Sequence, residues 1–210
     1  MAAVVGGAKI STKLGVLRHL IQKVDVLILG GGMANTFLAA QEIDMAASLM
    51  EPDMVSTAAE IMREAAAAQC RIILPTDGLA ATEFKACAAN RVVENGKLDA
   101  GEMVLDIGPA SVEAAMAALR ECKTVVWNGP MGAFEIPPFD QATNKLAQEA
   151  ARLTASGQLV SVAGGGDTLA ALHAAGVDAD FSYLSLAGGA FLEWLEGKSL
   201  PGIVALSQSR

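Results

Sequence analysis

Short apolar runs recur along the chain, each closed by a glycine or proline and followed by a stretch with helical spacing. The runs predict strands at Ala2–Val5, Val24–Leu29, Arg71–Leu74, Met103–Ile107, Thr124–Trp127, Leu159–Ala163 and Tyr183–Leu186. Within them the apolar positions are mostly continuous rather than alternating, as in parallel strands covered on both faces. The intervening segments Thr12–Lys23, Met33–Gln41, Asp53–Gln69, Ser111–Glu121, Asp140–Ala155, Thr168–Ala175 and Gly189–Glu196 predict helices. In the first of these Leu14, Leu17, Leu20 and Ile21 share one side. This alternation predicts an α/β fold with a three-layer, doubly wound and mainly parallel sheet, helices lying on both faces. The units are too few for a closed barrel. The segment Val92–Leu98 departs from the pattern, because Asn95-Gly96 between short apolar groups reads as a hairpin turn. No linker or low-complexity tail divides the chain, so its 210 residues read as one domain.

The glycines sharpen this picture by their positions. Gly6-Gly7, Gly30-Gly31-Gly32, Gly108-Pro109, Gly129-Pro130, Gly164-Gly165-Gly166 and Gly188-Gly189 each follow a predicted strand. In a parallel sheet such turns collect at one edge, where open α/β proteins bind ligands and helix N-termini favour anions. Any single pair is equally explained as a tight βα turn. Composition adds that the core is fine-grained, because much of the 52% hydrophobic fraction is alanine and only 4% is aromatic. Fifteen basic against 23 acidic side chains give a formal charge of −8. That balance argues against a nucleic-acid partner or an anionic membrane surface, while leaving room for a local basic site. With no membrane-spanning run and no signal-peptide layout, the expectation is a soluble, cytoplasmic monomer. Cys70, Cys87 and Cys122 form no CxxC pair and fit a reducing compartment.

Candidate chemistry gathers around these turns. Lys9 and Lys13 stand four residues apart at the opening of the first predicted helix, where two like charges are unfavourable unless an anion joins them. A phosphate chain meets that need, and a compact ammonium suits charge developing in phosphoryl transfer; two solvated surface lysines are the plainer reading. In Gly164-Gly165-Gly166-Asp167-Thr168, the glycines permit close backbone approach, Asp167 can hold Mg²⁺ or cap the helix, and Thr168 can help cap it. Asn128, at the end of another apolar strand, can donate to a phosphate or stabilise its own turn. Glu135 can accept hydrogen bonds from a ribose or stand in solvent. There is no GxGxxG fingerprint and no GxxxxGK[ST] loop. His19 and His173 belong to no ligand cluster, and the methionines read as packing residues.

Taken in order, Gly6-Gly7-Ala8-Lys9-Ile10-Ser11-Thr12-Lys13, Leu29-Gly30-Gly31-Gly32-Met33-Ala34-Asn35-Thr36-Phe37, Leu105-Asp106-Ile107-Gly108-Pro109, Trp127-Asn128-Gly129-Pro130-Met131-Gly132-Ala133-Phe134-Glu135, Gly164-Gly165-Gly166-Asp167-Thr168 and Leu192-Glu193-Trp194-Leu195-Glu196-Gly197-Lys198 closely resemble phosphoglycerate kinase. The resemblance covers nearly the whole chain and only the C-terminal, nucleotide-binding half of that family. It implies a Rossmann-like sheet holding Mg-ADP or Mg-ATP, and phosphoryl transfer between 1,3-bisphosphoglycerate and ADP to give 3-phosphoglycerate and ATP. It assigns Lys9 to the transferring phosphoryl group, Lys13 to the nucleotide phosphates and Asp167 to Mg²⁺. Asn128, with Gly129 and Pro130, falls near the phosphates, Glu135 near the ribose, and Gly31-Gly32 beside the adenine. Gly7, Gly165, Gly166, Thr168, Gly188 and Gly189 complete the expected nucleotide site. The phosphoglycerate would reach it only through an N-terminal domain that the resemblance places outside this chain, and full turnover is expected to need that domain.

Of three departures from the family pattern, Ala142 before Thr143 and Glu42 after Gln41, each in place of a glycine, are less decisive than the third. Ser185-Leu186-Ala187-Gly188-Gly189 occupies the place of the family's Ser-Thr-Gly-Gly-Gly, so a hydroxyl is lost and a methyl gained beside the phosphates. Weaker or displaced phosphate binding is expected. The alternative reading is a noncatalytic nucleotide-binding or interaction module derived from the family; a dinucleotide enzyme is disfavoured by the absent fingerprint.

Overall fold

The computed structural model describes residues 1–201 of the 210-residue chain. Its strands are β1 (Ala2–Val5), β2 (Val26–Leu29), β3 (Arg71–Ile73), β4 (Asp77–Ala81), β5 (Asn90–Glu94), β6 (Met103–Ile107), β7 (Thr124–Asn128), β8 (Val160–Gly164) and β9 (Tyr183–Ser185). The helices are α1 (Leu14–Leu20), α2 (Gly31–Ala39), α3 (Val55–Ala67), α4 (Pro109–Arg120), α5 (Gln141–Ala155), α6 (Gly166–Ala174) and α7 (Gly188–Leu195). Six strands form a parallel sheet in the order β3-β2-β1-β7-β8-β9. The chain winds outward from β1 to β3, then crosses back and winds the other way from β7 to β9. The topological switch therefore falls between β1 and β7, and this is the doubly wound arrangement expected.

The continuous apolar runs follow from burial on two sides. Ala2 and Val4 of β1 face the layer built by α4, α5 and α6, while Ala3 and Val5 face that of α1, α2, α3 and α7. Alanine is what makes the first layer thin: Ala115 and Ala118 of α4 and Ala147 and Ala150 of α5 are almost fully buried, letting helices approach closely. Trp127 is the large exception, fully buried in that layer, and its indole N–H donates to the Gly129 carbonyl at 2.7 Å. The largest aromatic of the core thus pins a turn at the switch point.

Three expectations are corrected. Met103–Ile107 is a strand, but it belongs to a separate antiparallel sheet of order β5-β4-β6, so Gly108-Pro109 does not join the turns of the parallel sheet. Asn95-Gly96 turns the chain without pairing its flanks, because β4 lies between β5 and β6. Asn95 instead fastens back to the approach to β4, its side-chain amide donating to the Pro75 carbonyl at 2.6 Å and its N–H to Thr76 at 3.1 Å. Finally, α1 begins at Leu14 after a turn in which the Lys13 N–H donates to the Ile10 carbonyl at 2.8 Å, so Lys9 and Lys13 do not share a helical face. Pro52 similarly opens Pro52–Met54 as a single 3-10 turn ahead of α3. No helix among the described residues is long and apolar enough to cross a membrane.

Candidate functional site

Five glycine turns lie at the C-terminal ends of the parallel strands, and the two flanking the switch point are held against each other. The Gly6 N–H donates to the Asn128 carbonyl at 3.1 Å, and the Lys13 ammonium donates to the Gly6 and Asn128 carbonyls at 2.7 and 3.1 Å. Close packing requires glycine here. A Cβ on Gly6 would overlap the Pro130 carbonyl, and one on Gly129, whose φ is +102°, would overlap Gly6 and stand 2.7 Å from the Lys13 nitrogen. The side chain of Lys13 thus reaches from the entry of α1 across the end of β1 to β7. Burial pushes its ammonium down to about 8, opposed by the negative charge of Asp167. Lys9 is exposed, and its charge acts on Glu51 outside this junction.

On the far side of the switch, Gly165 adopts φ +101° to start α6. The Asn128 amide crosses under it to donate to the Gly164 carbonyl at 2.7 Å. Thr168 does not cap its own helix; its hydroxyl accepts the Gly129 N–H at 2.7 Å and ties α6 to the β7 turn. Asp167 likewise makes no capping bond, and stands exposed at the mouth. A Cβ on Gly188 would lie 3.7 Å from the Gly165 Cα and 4.0 Å from the Gly166 nitrogen, so the first turns of α6 and α7 adjoin. Among the described residues the N–H groups of Gly166, Asp167, Gly188 and Gly189 have no protein acceptor. Together with Lys13 they form the concentration of uncommitted positive potential that an anion requires.

At α2, two of the first three N–H groups are bonded within the protein. The Gly31 N–H donates to Met131 at 2.8 Å and the Met33 N–H to Gly7 at 3.0 Å, so those donors are already occupied. Gly31 (φ +68°) and Gly32 instead form a bare wall, where a Cβ would stand 2.7 Å from the carbonyls of Gly7 and Ala8 respectively. That wall belongs to a cleft of about 490 Å³ whose lining also includes Gly7, Pro130, Glu135 and Asp167. The size is that of a cofactor or nucleotide pocket. Its opposite wall comes from the small sheet, through Leu105, Asp106 and Ile107. Glu135 is exposed at the rim.

The donor set fits a hydrated cation that arrives with its own ligands. No group of three metal-ligating side chains exists among the described residues, and Asp167 is a lone carboxylate beside free N–H groups. Mg²⁺ is commonly held by one or two carboxylates, water and substrate phosphates, rather than by an all-protein cage. The Asn128 Oδ1 atom supports the same reading, being buried and without a partner. A buried acceptor costs about 1–3 kcal/mol while it lacks a donor, which metal-bound water can supply.

Sequence reasoning did not pick out Leu49 and Phe84, apolar residues that line the cleft although 57% and 65% exposed. Nothing in their local pattern marks them. Asp106 carried a signal that was readable, an acid inside an apolar strand. Leu186 is 88% exposed and leads into α7, with Ala187 as the residue before its first turn. Placing a hydroxyl and a glycine at this turn by Leu186→Thr with Ala187→Gly is expected to tighten the binding of a phosphate-bearing anion about tenfold, the worth of roughly one hydrogen bond. Unchanged affinity in calorimetry would mean that this turn does not touch the anion.

Comparison with known proteins agrees with this geometry. The family model described as phosphoglycerate kinase matches residues 1–198. A phosphoglycerate kinase of Roseobacter denitrificans is 62% identical over 209 residues, and one of Agrobacterium fabrum 56% identical over 210, covering 98% and 100% of this chain. The chain spans about half the length of the curated relatives it matches, 53% and 52% respectively. Among solved structures, phosphoglycerate kinase from Coxiella burnetii superposes with a TM-score of 0.93 at 43% identity, covering 99% of this chain and 52% of its own. That from Pyrococcus horikoshii gives 0.82 at 27%, covering 98% and 51%. A matching family model over nearly the whole chain, with relatives at this identity, shows that the chain belongs to the phosphoglycerate kinase family.

Proposed function

We propose that residues 1–210 are the C-terminal, nucleotide-binding half of a phosphoglycerate kinase, binding Mg-ADP or Mg-ATP at the switch point of the parallel sheet. The observation that carries the reading is the meeting of the Lys13 ammonium, the open first turns of α6 and α7, and the Asp167 carboxylate at one crevice. The order of the motifs along the chain supports its assignment to the C-terminal half.

In the transfer, an ADP β-phosphate oxygen attacks the phosphorus of 1,3-bisphosphoglycerate, and the bond from phosphorus to the acyl oxygen breaks. The electron pair leaves with the carboxylate of 3-phosphoglycerate, so no covalent bond to the protein forms. Positioning and charge stabilisation are therefore the whole of the catalysis. Lys13 holds the phosphate chain, the first turns of α6 and α7 receive its oxygens, and Lys9, free in solvent, swings to the transferring group. Asn128 and the turn Gly129-Pro130 floor the phosphate site, and Thr168 fixes that floor. Gly31 and Gly32 offer their bare wall to the base, and Glu135 accepts from the ribose. Asp167 would hold Mg²⁺, which when bound would supply neutralisation of phosphate charge.

The acyl phosphate requires a surface beyond residues 1–210, which the family's N-terminal half would supply. Calorimetric titration of this chain with ADP in Mg²⁺ buffer is expected to give one saturable site. Transfer is expected only after addition of a separately produced N-terminal half, and to be lost in Asp167→Ala. ADP binding with no transfer under any reconstitution would instead establish the noncatalytic module favoured by the altered Leu186-Ala187 turn, and no binding by the folded chain would refute the site itself.

A further inference from the structure

Asp106 is a carboxylate the transfer does not use, yet it lies in the wall of the cleft and is 2% exposed. It sits on β6, in the small sheet, and reaches the parallel-sheet layer: its Oδ2 accepts the Ala142 N–H of α5 at 2.9 Å and its Oδ1 the Ile107 N–H at 3.0 Å. Directly upon it rests Gly132. A Cβ there would overlap the Asp106 Oδ1 and stand 2.7 Å from its Cα.

Gly132 belongs to a strap, residues 131–136, that leaves the switch point and carries Glu135 to the rim. The strap is tied down on either side of Gly132. The Met131 N–H donates to the Thr143 hydroxyl of α5 at 2.9 Å, and its carbonyl accepts from Gly31 at 2.8 Å. The Ala133 N–H donates to the Leu105 carbonyl of β6 at 2.7 Å, and Phe134 turns back to Gly132 at 2.9 Å. Between these ties, the atoms that a Cβ on Gly132 would meet first are all from Asp106. Its burial pushes the carboxyl well above the usual range, with Asp140 reinforcing and Lys145 opposing. The carboxyl is held in place by backbone N–H groups from two elements, one of them in the first turn of α5.

We infer that Asp106 is a positioning residue for sugar recognition: it sets the height of the strap under Gly132, and thereby the reach of Glu135 to the ribose hydroxyls of a nucleoside diphosphate. The inference rests on the proposed contact of Glu135 with ribose. It adds that the discrimination for a hydroxylated sugar is controlled from the small sheet, and that Gly132 is glycine because the carboxylate occupies the space a side chain needs.

The test is the ratio of dissociation constants for 2′,3′-dideoxy-ADP and ADP, measured by calorimetry with Mg²⁺ on the full chain. A structural loss common to both ligands cancels in this ratio. The native chain is expected to prefer ADP about tenfold, the worth of roughly one hydrogen bond. Asp106→Ala is expected to bring the ratio near one, with Asp106→Asn recovering part of it. Should Asp106→Ala fail to fold, Gly132→Ala decides, because it lifts the strap from the other side while leaving the carboxylate in place. A ratio still near tenfold in either folded variant overturns the inference. If Glu135→Gln leaves the native ratio unchanged, the ribose reading of Glu135 fails instead, and the role of Asp106 fails with it.

Discussion

Replacing Lys13 with methionine is expected to weaken Mg-ADP binding roughly 10–100-fold, the worth of a charge-assisted hydrogen bond of about 1.5–3 kcal/mol. The same substitution should remove a pH dependence. In the free chain Lys13 loses its proton near pH 8 rather than 10.5, because burial disfavours the ammonium. A phosphate beside it favours the charged form, so binding takes up a proton wherever the free chain has lost one. The affinity of the native chain should therefore be fully present below pH 8 and fall as pH rises through it, by up to about tenfold per unit. Lys13→Met should lack this loss. Calorimetry in buffers of different ionisation heat would detect the proton directly, and a native affinity flat from pH 7 to 9.5 would remove Lys13 from the phosphate site.

Stability carries the opposite sign, which separates the two effects. Because the folded value lies below the unfolded one, the unfolded chain binds more protons between about 8 and 10.5, and folding stability gains with pH across that window. The difference in stability between the native chain and Lys13→Met should accordingly shift in favour of the native chain as pH rises from 8 to 10.5. Denaturant unfolding at several pH values measures it. Binding is lost over the same range in which folding is helped, a combination that general denaturation does not produce.

The second large effect is expected at Gly129. An alanine there meets two costs: a φ of +102°, which L side chains rarely adopt, and overlap of its Cβ with the Gly6 carbonyl. The position cannot relax easily, since its N–H is bonded to Thr168 and its carbonyl to Trp127. Separation of the β1 and β7 turns follows, and Lys13 loses the pair of carbonyls it bridges. A destabilisation of about 3 kcal/mol is expected from strain and overlap together, lowering Tm by roughly 6–12 °C, with Mg-ADP affinity lost more than about a hundredfold. Gly157→Ala is the control, because Gly157 shares the left-handed conformation at φ +72° but has nothing within 4 Å of the added Cβ. It should lose stability and keep its affinity. Native ADP binding by a folded Gly129→Ala chain would place the phosphates away from the switch point.

Much of the fold was legible because the central parallel strands β1, β2 and β7 are buried on both faces, which writes a continuous apolar run into the chain. Predicted bounds for β1 and β6 coincide with the strands, and those of the other five differ by only one or two residues. β4 was not legible. Its Asp77-Gly78-Leu79-Ala80-Ala81 has no β-branched or aromatic residue. What makes it a strand is pairing on both sides, with Val104 so close over Gly78 that a Cβ there would stand 2.7 Å away. Asp77 was equally silent, although its carboxylate caps α4 through the N–H groups of Ala110 and Ser111 at 3.0 and 2.8 Å. The hairpin reading of Asn95-Gly96 failed for a related reason: a local turn signal says where the chain bends, not which strand it returns to.

By itself, the sequence determined the layered α/β architecture, the glycine turns and the family, because those properties are local or repeated along the chain. It also placed Lys13, Asn128 and Asp167 beside turns that a parallel sheet must bring to one edge. Only the tertiary structure decided which of these groups meet. Lys13 bridges β1 and β7, α2 has two of its first three donors occupied while α6 and α7 keep theirs open, and Thr168 serves the neighbouring turn rather than its own helix. Each of these outcomes depends on hydrogen-bond partners distant along the chain. A donor's availability depends on what the fold has placed within about 3 Å of it, and local pattern carries no record of that.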